Sequence, residues 1–215
     1  MVSSDPPTVV DPRLARAGQG DQAALGELLA EQRERLRRMI ALRLDRRLQG
    51  RVDASDVIQE SFLEAASRLD EFLVNPSVPF YVWLRFLTVQ KLAETNRHHF
   101  GAQMRSVGRE VSLYRGAYPA ATSAALAAHL LGHFTRPSEA AVRVENKLQL
   151  QEALNSMEAV DREVLALRHF EQLSTSETAQ VLGISEEAIK KRHIRALKRL
   201  KDALAQMPGG KDLLP

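Results

Sequence analysis

Residues 173–204 read LSTSETAQVLGISEEAIKKRHIRALKRLKDAL, and the spacing inside this stretch decides the fold. Ala179 precedes Gly183 by four residues, and Ile189 follows Gly183 by six. A helix-turn-helix needs a small residue where its helices cross, a glycine that can take a positive φ in the turn, and a branched apolar residue that anchors the second helix. All three occur in register. The stretch is therefore predicted to be a helix-turn-helix.

The second helix of this motif is predicted to carry a basic outer face. Ser174 or Ser176 is placed to cap the first helix and Ser185 the second, while Ile189, Ile194 and Leu197 are expected to face inward. The cations expected to face outward are Lys190, Lys191, Arg192 and Arg195. Cations on an exposed recognition helix suit the phosphates and guanine edges of a major groove. Duplex DNA binding is predicted, and the alternatives are a solvated charged face and a structural helical hairpin.

The composition limits the classes of protein to which this chain can belong. The chain has 215 residues, of which 44% are hydrophobic and 27% charged, as in ordinary globular proteins. It has no cysteine, which excludes disulfides and thiolate metal sites and suits a reducing cytoplasm. No apolar run approaches the length of a membrane span, and residues 1–11 lack the apolar stretch of a signal peptide. A cytoplasmic protein without a membrane partner is expected.

The periodicity of apolar residues predicts an all-α protein. Helical spacing runs through residues 25–44, 53–72 and 80–99, and no strands are indicated. Glycine, proline and small residues interrupt residues 101–143, which are predicted to be a flexible linker with one short helix. Helical spacing returns from residue 144, so two helical domains are expected. The predicted boundaries are a disordered N-terminus at 1–14, a first domain at 15–100, the linker at 101–143, the helix-turn-helix domain at 144–205 and a tail at 206–215.

Two further motifs lie in the first hundred residues. Residues 53–62 read DASDVIQESF, and residues 79–84 read PFYVWL. Both resemble region 2 of the bacterial sigma-70 family, in its extracytoplasmic-function (ECF) group with regions 2 and 4 only, and residues 154–204 are similar to region 4. The resemblance covers residues 20–204. It implies an alternative sigma factor that binds core RNA polymerase, recognises duplex −35 DNA and melts −10 DNA.

The resemblance also implies how the first domain meets the polymerase. Its acidic helix would dock on the clamp helices of the polymerase β′ subunit. The matching positions are Asp53, Asp56, Gln59 and Glu60. Exposed carboxylates suit this role because they form charge-assisted hydrogen bonds with arginine. From the residues alone, a solvated acidic face is an equal alternative.

Two DNA contacts follow from the same resemblance. The opened −10 strand would be held by Trp83, Gln90, Lys91, Glu94 and Arg97, since aromatic, cationic and polar groups together bind single strands. Many relatives carry Asn and Asp at the positions of Gln90 and Glu94, and from its spacing Trp83 suits the core equally well. Lys190, Lys191, Arg192 and Arg195 would bind the −35 duplex, with the second domain also contacting the polymerase β flap.

Enzymes and other regulators are the competing classes. The histidine pairs that could bind a metal are His98–His99 and His129–His133. The second pair has the spacing of a zinc-binding helix, but Leu130 stands where that motif needs glutamate, and no third ligand is evident. No catalytic residue, metal site or cofactor is predicted. The alternative function is a LuxR-like dimeric regulator, for which residues 161–164 read DREV, although the first domain lacks a sensor's strand-helix alternation. A structural helical adaptor leaves the basic face unexplained, and a separate anti-sigma protein or Ser/Thr modification would supply regulation.

Overall fold

The computed structural model describes residues 11–44, 48, 50–100, 120–132 and 140–206. Within them the chain forms α-helices joined by short turns, with no β-strand. The helices are α1 (Pro12–Gly18), α2 (Gln22–Arg43), α3 (Ala54–Ser67), α4 (Leu69–Val74), α5 (Phe80–Phe100), α6 (Ser123–Gly132), α7 (Ala140–Asn155), α8 (Ala159–Leu165), α9 (Thr175–Leu182) and α10 (Glu186–Ala205), and a π-helical turn, the π-turn, covers Ala166–Phe170. The all-α prediction is confirmed.

The first helix begins earlier than the sequence pattern indicated. Asp11 accepts a hydrogen bond from the backbone N–H of Arg13 at 2.9 Å, and Pro12 follows it as the first helical residue. Proline suits this position because its missing N–H would have no partner there and its φ is already helical. Helix α1 therefore starts inside the segment that was predicted to be disordered.

The helix predicted over residues 53–72 is two helices. Asp53 caps the start of α3, but the chain bends at Arg68, whose φ of −112° and ψ of 10° are not helical. The bend allows Phe72 on α4 to stack on Trp83 of α5, with ring centroids 4.6 Å apart. The single-helix prediction was wrong because this break is set by packing and has no glycine or proline to announce it.

The buried apolar side chains form clusters that cross the boundary between the two parts of the chain. Helices α1–α5, the N-terminal half, supply most of the first cluster, but Leu167, Leu173 and Val181 join it from the π-turn, its following turn and α9. Helices α6–α10, the C-terminal half, supply most of the second, which Leu42 of α2 joins. The short helix expected in the linker is α6, and it packs against α7.

No helix among the described residues combines the length and the apolar character needed to cross a membrane.

Candidate functional site

The helix-turn-helix is formed by α9, a tight turn and α10. Gly183 lies in the turn with φ 65° and ψ 32°, a left-handed conformation that glycine adopts without steric cost. Ala179 and Ile189 are buried together with Val164 of α8 in a small apolar cluster of their own. The three residues that predicted the motif thus occupy the crossing, the turn and the anchor, and that prediction is confirmed.

Side-chain caps fix where both helices of the motif begin. The Ser174 hydroxyl accepts from the backbone N–H of Glu177 at 3.0 Å, and the Glu177 carboxylate accepts from the N–H of Ser174 at 2.7 Å. This reciprocal pair is a capping box. Ser185 Oγ accepts from the N–H of Ala188 at 3.2 Å. The bond to Ser185 fixes the start of α10. In a recognition helix, the N-terminal residues are the ones that contact bases.

The outer face of α10 is basic with one apolar residue in its middle. Lys190 and Lys191 are exposed, and Lys191 Nζ lies 2.7 Å from Glu187 Oε1 one turn earlier. Ile194 is 68% exposed, one helical turn from Lys190 and from Lys198, and Leu197 is 37% exposed. The prediction that Ile194 faces inward was wrong, whereas Leu197 lies at the edge of an apolar cavity that Leu154, Leu165 and Leu200 also line. Ile189, Ala196 and Leu200 line the buried side of the helix, and the 3.6-residue period places Ile194 opposite them.

Arg192 and Arg195 are tied to α8. Arg192 Nη1 lies 2.7 Å from Asp161 Oδ1 and 2.8 Å from Glu158 Oε2, while Arg195 Nη1 lies 3.2 Å from Glu158 Oε1. The Asp161 side chain is fully buried and that of Arg192 is 27% exposed. The hydrogen bond from Arg192 lowers the pKa of Glu158. Arg192 therefore holds α8 to α10, whereas Arg195 is more exposed.

The acidic face predicted on α3 is open to solvent. Asp53, Asp56, Gln59 and Glu60 are all exposed. Asp53 Oδ1 accepts from the backbone N–H of Ser55 at 2.7 Å, and this hydrogen bond lowers the pKa of Asp53. The four residues lie within the first two turns of one helix, so the structure brings them together on one surface.

The polar set predicted on α5 also forms one surface, at the C-terminal part of the helix. Glu94 and Arg97 are exposed, and Gln90 and Lys91 are half-buried. Lys91 Nζ lies 3.2 Å from Glu94 and 3.7 Å from Glu64 of α3, and the hydrogen bond to Glu94 raises its pKa. This cation lies where α3 and α5 meet.

Trp83 lies two turns away, in a different environment. Besides its stacking on Phe72, its ring centroid is 5.8 Å from that of Phe80, and the residue is half-buried. Phe72 covers one face of the indole, and Phe80 lies beside it. Trp83 therefore belongs to an aromatic cluster and lies apart from the four polar residues of the set.

No cluster of three or more metal-ligating side chains occurs in the described part of the chain. His133, one of the histidines weighed as a ligand, lies outside it, as does the side chain of His99.

The capped turn and the basic outer helix together define a helical DNA-binding protein of the helix-turn-helix class.

Comparison with known proteins shows which helix-turn-helix proteins this chain is similar to. Residues 153–202 match the family described as Sigma-70, region 4. The chain is 29% identical to the ECF RNA polymerase sigma factor SigD of Mycobacterium tuberculosis (strain ATCC 25618 / H37Rv), over 91% of this chain and 84% of SigD. It is 27% identical to the RNA polymerase sigma factor NccH of Alcaligenes xylosoxydans xylosoxydans, over 90% and 94% of the two chains.

A solved structure supports the fold. CnrH in complex with the cytosolic domain of CnrY superposes with a TM-score of 0.52 at 24% identity, covering 90% of this chain and 96% of CnrH. The chain is thus similar to ECF sigma factors along about nine-tenths of its length and matches region 4 of the sigma-70 family over residues 153–202. The LuxR-like alternative is not supported, because a match along 91% of the chain reaches far beyond the helix-turn-helix that such a regulator would share.

Proposed function

We propose that this sigma factor binds core RNA polymerase and directs initiation at promoters whose −35 box is read by α10. The observation that carries the proposal is the exposed basic face of a capped recognition helix, in a chain that matches sigma factors along nine-tenths of its length. Lys190, Lys191 and Arg195 contact the phosphates or base edges of the −35 duplex, with Arg192 at the rim of the same face. Ile194, at the centre of this face, suits contact with a thymine methyl group.

The acidic face of α3 binds the clamp helices of the polymerase β′ subunit. Its support is the exposure of Asp53, Asp56, Gln59 and Glu60 on adjacent turns. Carboxylates presented in this way accept charge-assisted hydrogen bonds, which fix the orientation of a partner as well as its affinity. The C-terminal half contacts the β flap.

The C-terminal part of α5 binds the opened −10 strand. Gln90, Lys91, Glu94 and Arg97 supply cationic contacts to the backbone and polar contacts to base edges. Trp83 takes part by holding α4 against α5, the helix that carries these polar residues. The residues that form the phosphodiester bond belong to the polymerase, and this chain contributes none.

The test is run-off transcription with purified core RNA polymerase on promoter fragments from the same genome. Start sites that depend on both proteins and share two sequence boxes are expected. Changing Lys190 and Arg195 together to alanine removes two phosphate contacts. The slope of log K against log salt for duplex −35 DNA then falls by about 1.8. Arg16→Ala, an exposed cation on α1, is the matched control. Duplex binding without any core-dependent transcript contradicts the proposal.

A further inference from the structure

A cavity of about 230 Å³ lies within the C-terminal half, between α10 and α6. Helices α7 and α8 and the π-turn complete its wall. The side chains that line it are Leu126, Leu130, Leu154, Leu165, His169, Phe170, Leu197 and Leu200. Seven of these eight residues are apolar, and His169 is the polar one.

The cavity leads from the surface of the protein into its second apolar cluster. Leu126 and Leu154 at the inner end are completely buried, and Leu165 is 2% exposed. At the mouth, His169 and Leu197 are both exposed. A small molecule can therefore enter from solvent at His169 and bury its apolar surface at the inner end.

Water is a poor occupant of this space. Protein interiors are packed as densely as organic crystals, with few voids larger than a water molecule. A buried water needs about two to four polar partners, whereas an apolar cavity of roughly 150 Å³ stays dry and takes up benzene. Here His169 is the single polar side chain among the lining residues. The size and the lining of the cavity thus suit an apolar molecule of one or two rings.

The π-turn places two consecutive aromatic side chains, His169 and Phe170, in the wall of the cavity. Single π-helical turns are rare and frequently occur at functional sites. Phe170 makes an edge-to-face contact with His129 of α6, with ring centroids 5.8 Å apart, which holds the Phe170 ring against α6. Aromatic rings attract one another beyond the effect of the area that they bury. These side chains therefore favour an aromatic occupant over an aliphatic one.

The polar group at the mouth is uncharged. His169 Nε2 lies 2.7 Å from His193 Nε2 of α10, a hydrogen bond in which one ring donates and the other accepts. Burial, followed by the charge of Arg168, lowers the pKa of His169 below its ordinary value of 6.5, and burial also lowers the pKa of His193. Both rings are therefore neutral at pH 7.

The charge of the lining selects the charge of the ligand. None of the eight lining side chains, all of them in the described part of the chain, is charged at pH 7. A charged ligand would lose its hydration there without gaining an ion pair. A neutral imidazole instead suits a hydroxyl or an N–H group, with which it can exchange a hydrogen bond.

We propose that this cavity binds an uncharged aromatic molecule of one or two rings that carries a hydroxyl or an N–H group. The ring lies against Leu126, Leu154 and Leu165, and the polar group lies at His169. Because Leu197 and Leu200 belong to α10, such a ligand contacts the inner side of the recognition helix. The proposal concerns binding alone, and its tests involve neither polymerase nor promoter, so they stand apart from those of the proposed function.

Indole is the probe, titrated into the full-length protein with ¹³C-labelled leucine methyl groups and followed by NMR. Shifts that saturate with a Kd of about 1 mM or lower are expected, largest at Leu126, Leu154 and Leu165. Indole-2-carboxylate, which has the same rings and a negative charge, should bind at least about tenfold more weakly. The proposal is overturned if no shift saturates, if the exposed Leu63 and Leu148 shift as much, or if the carboxylate binds equally well.

Leu130→Phe tests whether the cavity is the site, because a larger side chain on this half-buried part of the wall fills some of its volume. The Kd for indole should rise at least about tenfold. Leu148→Phe, the same change at a leucine of α7 that is 57% exposed and lies outside the cavity, is the matched control. If circular dichroism shows that Leu130→Phe does not fold, Leu197→Phe at the mouth takes its place. Equal Kd values for the filling variant and the control would overturn the site.

His169→Phe tests the polar end of the site. The change keeps an aromatic wall but removes both ring nitrogens, so the preference of the site for phenol over toluene should fall about three- to tenfold. A general loosening of the wall would instead weaken both probes alike. An unchanged preference would show that His169 does not contact the polar group of the ligand, and would overturn the proposed class of ligand.

Discussion

Arg192→Ala separates a structural role of the recognition helix from its role in DNA binding. The Asp161 carboxylate is fully buried, and Arg192 Nη1 at 2.7 Å is its near partner. Without Arg192 the remaining cation is Arg195, whose Nη1 is 3.7 Å from Asp161 Oδ2. The variant therefore leaves a buried carboxylate with one distant partner.

The cost follows from the burial. Removing one partner of a fully buried ion pair costs about 3–5 kcal/mol. Because Arg192 is about a quarter exposed and Arg195 compensates in part, we expect a loss of about 2 kcal/mol in the free energy of unfolding. For a chain of this size that loss lowers the Tm by about 4–8 °C.

Thermal unfolding followed by circular dichroism measures this loss. Lys198→Ala, on the exposed side of the same helix, should change the free energy of unfolding by less than about 0.5 kcal/mol. Adding Asp161→Asn to Arg192→Ala removes the unpaired charge and should recover part of the lost Tm. If Arg192→Ala unfolds like the wild type yet loses as much duplex affinity as Lys190→Ala, Arg192 is a DNA contact and the structural reasoning is refuted.

Three further perturbations address the other surfaces. Asp56→Arg should abolish co-purification with core polymerase without changing the Tm, because Asp56 is exposed, whereas Glu27→Arg on α2 should bind normally; equal binding by both would remove α3 from the interface. Lys190→Ala should lower the salt slope of duplex binding by about 0.9, and an unchanged slope would exclude a phosphate contact. Burial raises the pKa of the Glu171 carboxyl, but Arg85 and Arg43 outweigh that effect and hold the pKa below its ordinary value of 4.5. The contribution of Glu171 to stability is therefore present above about pH 4.5 and is lost as the pH falls through the folded pKa. Urea unfolding between pH 7 and 3 should therefore show a flatter acid limb for Glu171→Gln, and parallel profiles would contradict this.

The parts of the fold that the sequence predicted are those governed by local rules. Ala179, Gly183 and Ile189 lie within eleven residues of one another, and each has a requirement that few residue types meet. The caps at Ser174 and Ser185 are equally local, since each bonds to a backbone N–H three residues later. Fixed spacing and residue type suffice for such features.

The errors lie where packing at a distance decides. The bend at Arg68 exists because Phe72 stacks on Trp83, eleven residues further on, and nothing near residue 68 signals it. Ile194 was expected inside because it is apolar, although the helical period already places it opposite Ile189. Counting 100° per residue along α10 predicts that Ile194 is exposed, whereas its apolar character alone led to the wrong prediction.

The buried ion pairs that join Arg43 and Arg85 to Glu163 and Glu171 had no signal of either kind in the sequence. Arg85 and Glu171 are 86 residues apart, and Arg43 and Glu163 are 120 apart. Each is a charged residue on a helix or at its end, and in a sequence such residues are expected on the surface. Only the approach of the two halves turns four ordinary surface charges into a buried set.

The cations of α10 differ in how much stability is lost when each leaves its carboxylate partner to contact DNA. Lys190 is exposed, and the pairs of Lys191 with Glu187 and of Arg195 with Glu158 are solvated on both sides, so neither pair adds much to stability. A phosphate that takes either cation from its carboxylate displaces little stability. Arg192 differs, because a phosphate that draws it away uncovers the buried charge of Asp161. We therefore expect duplex DNA to recruit Lys190, Lys191 and Arg195 first, and Arg192 to contribute mainly by keeping α10 at the angle to α8 from which the others would reach the groove.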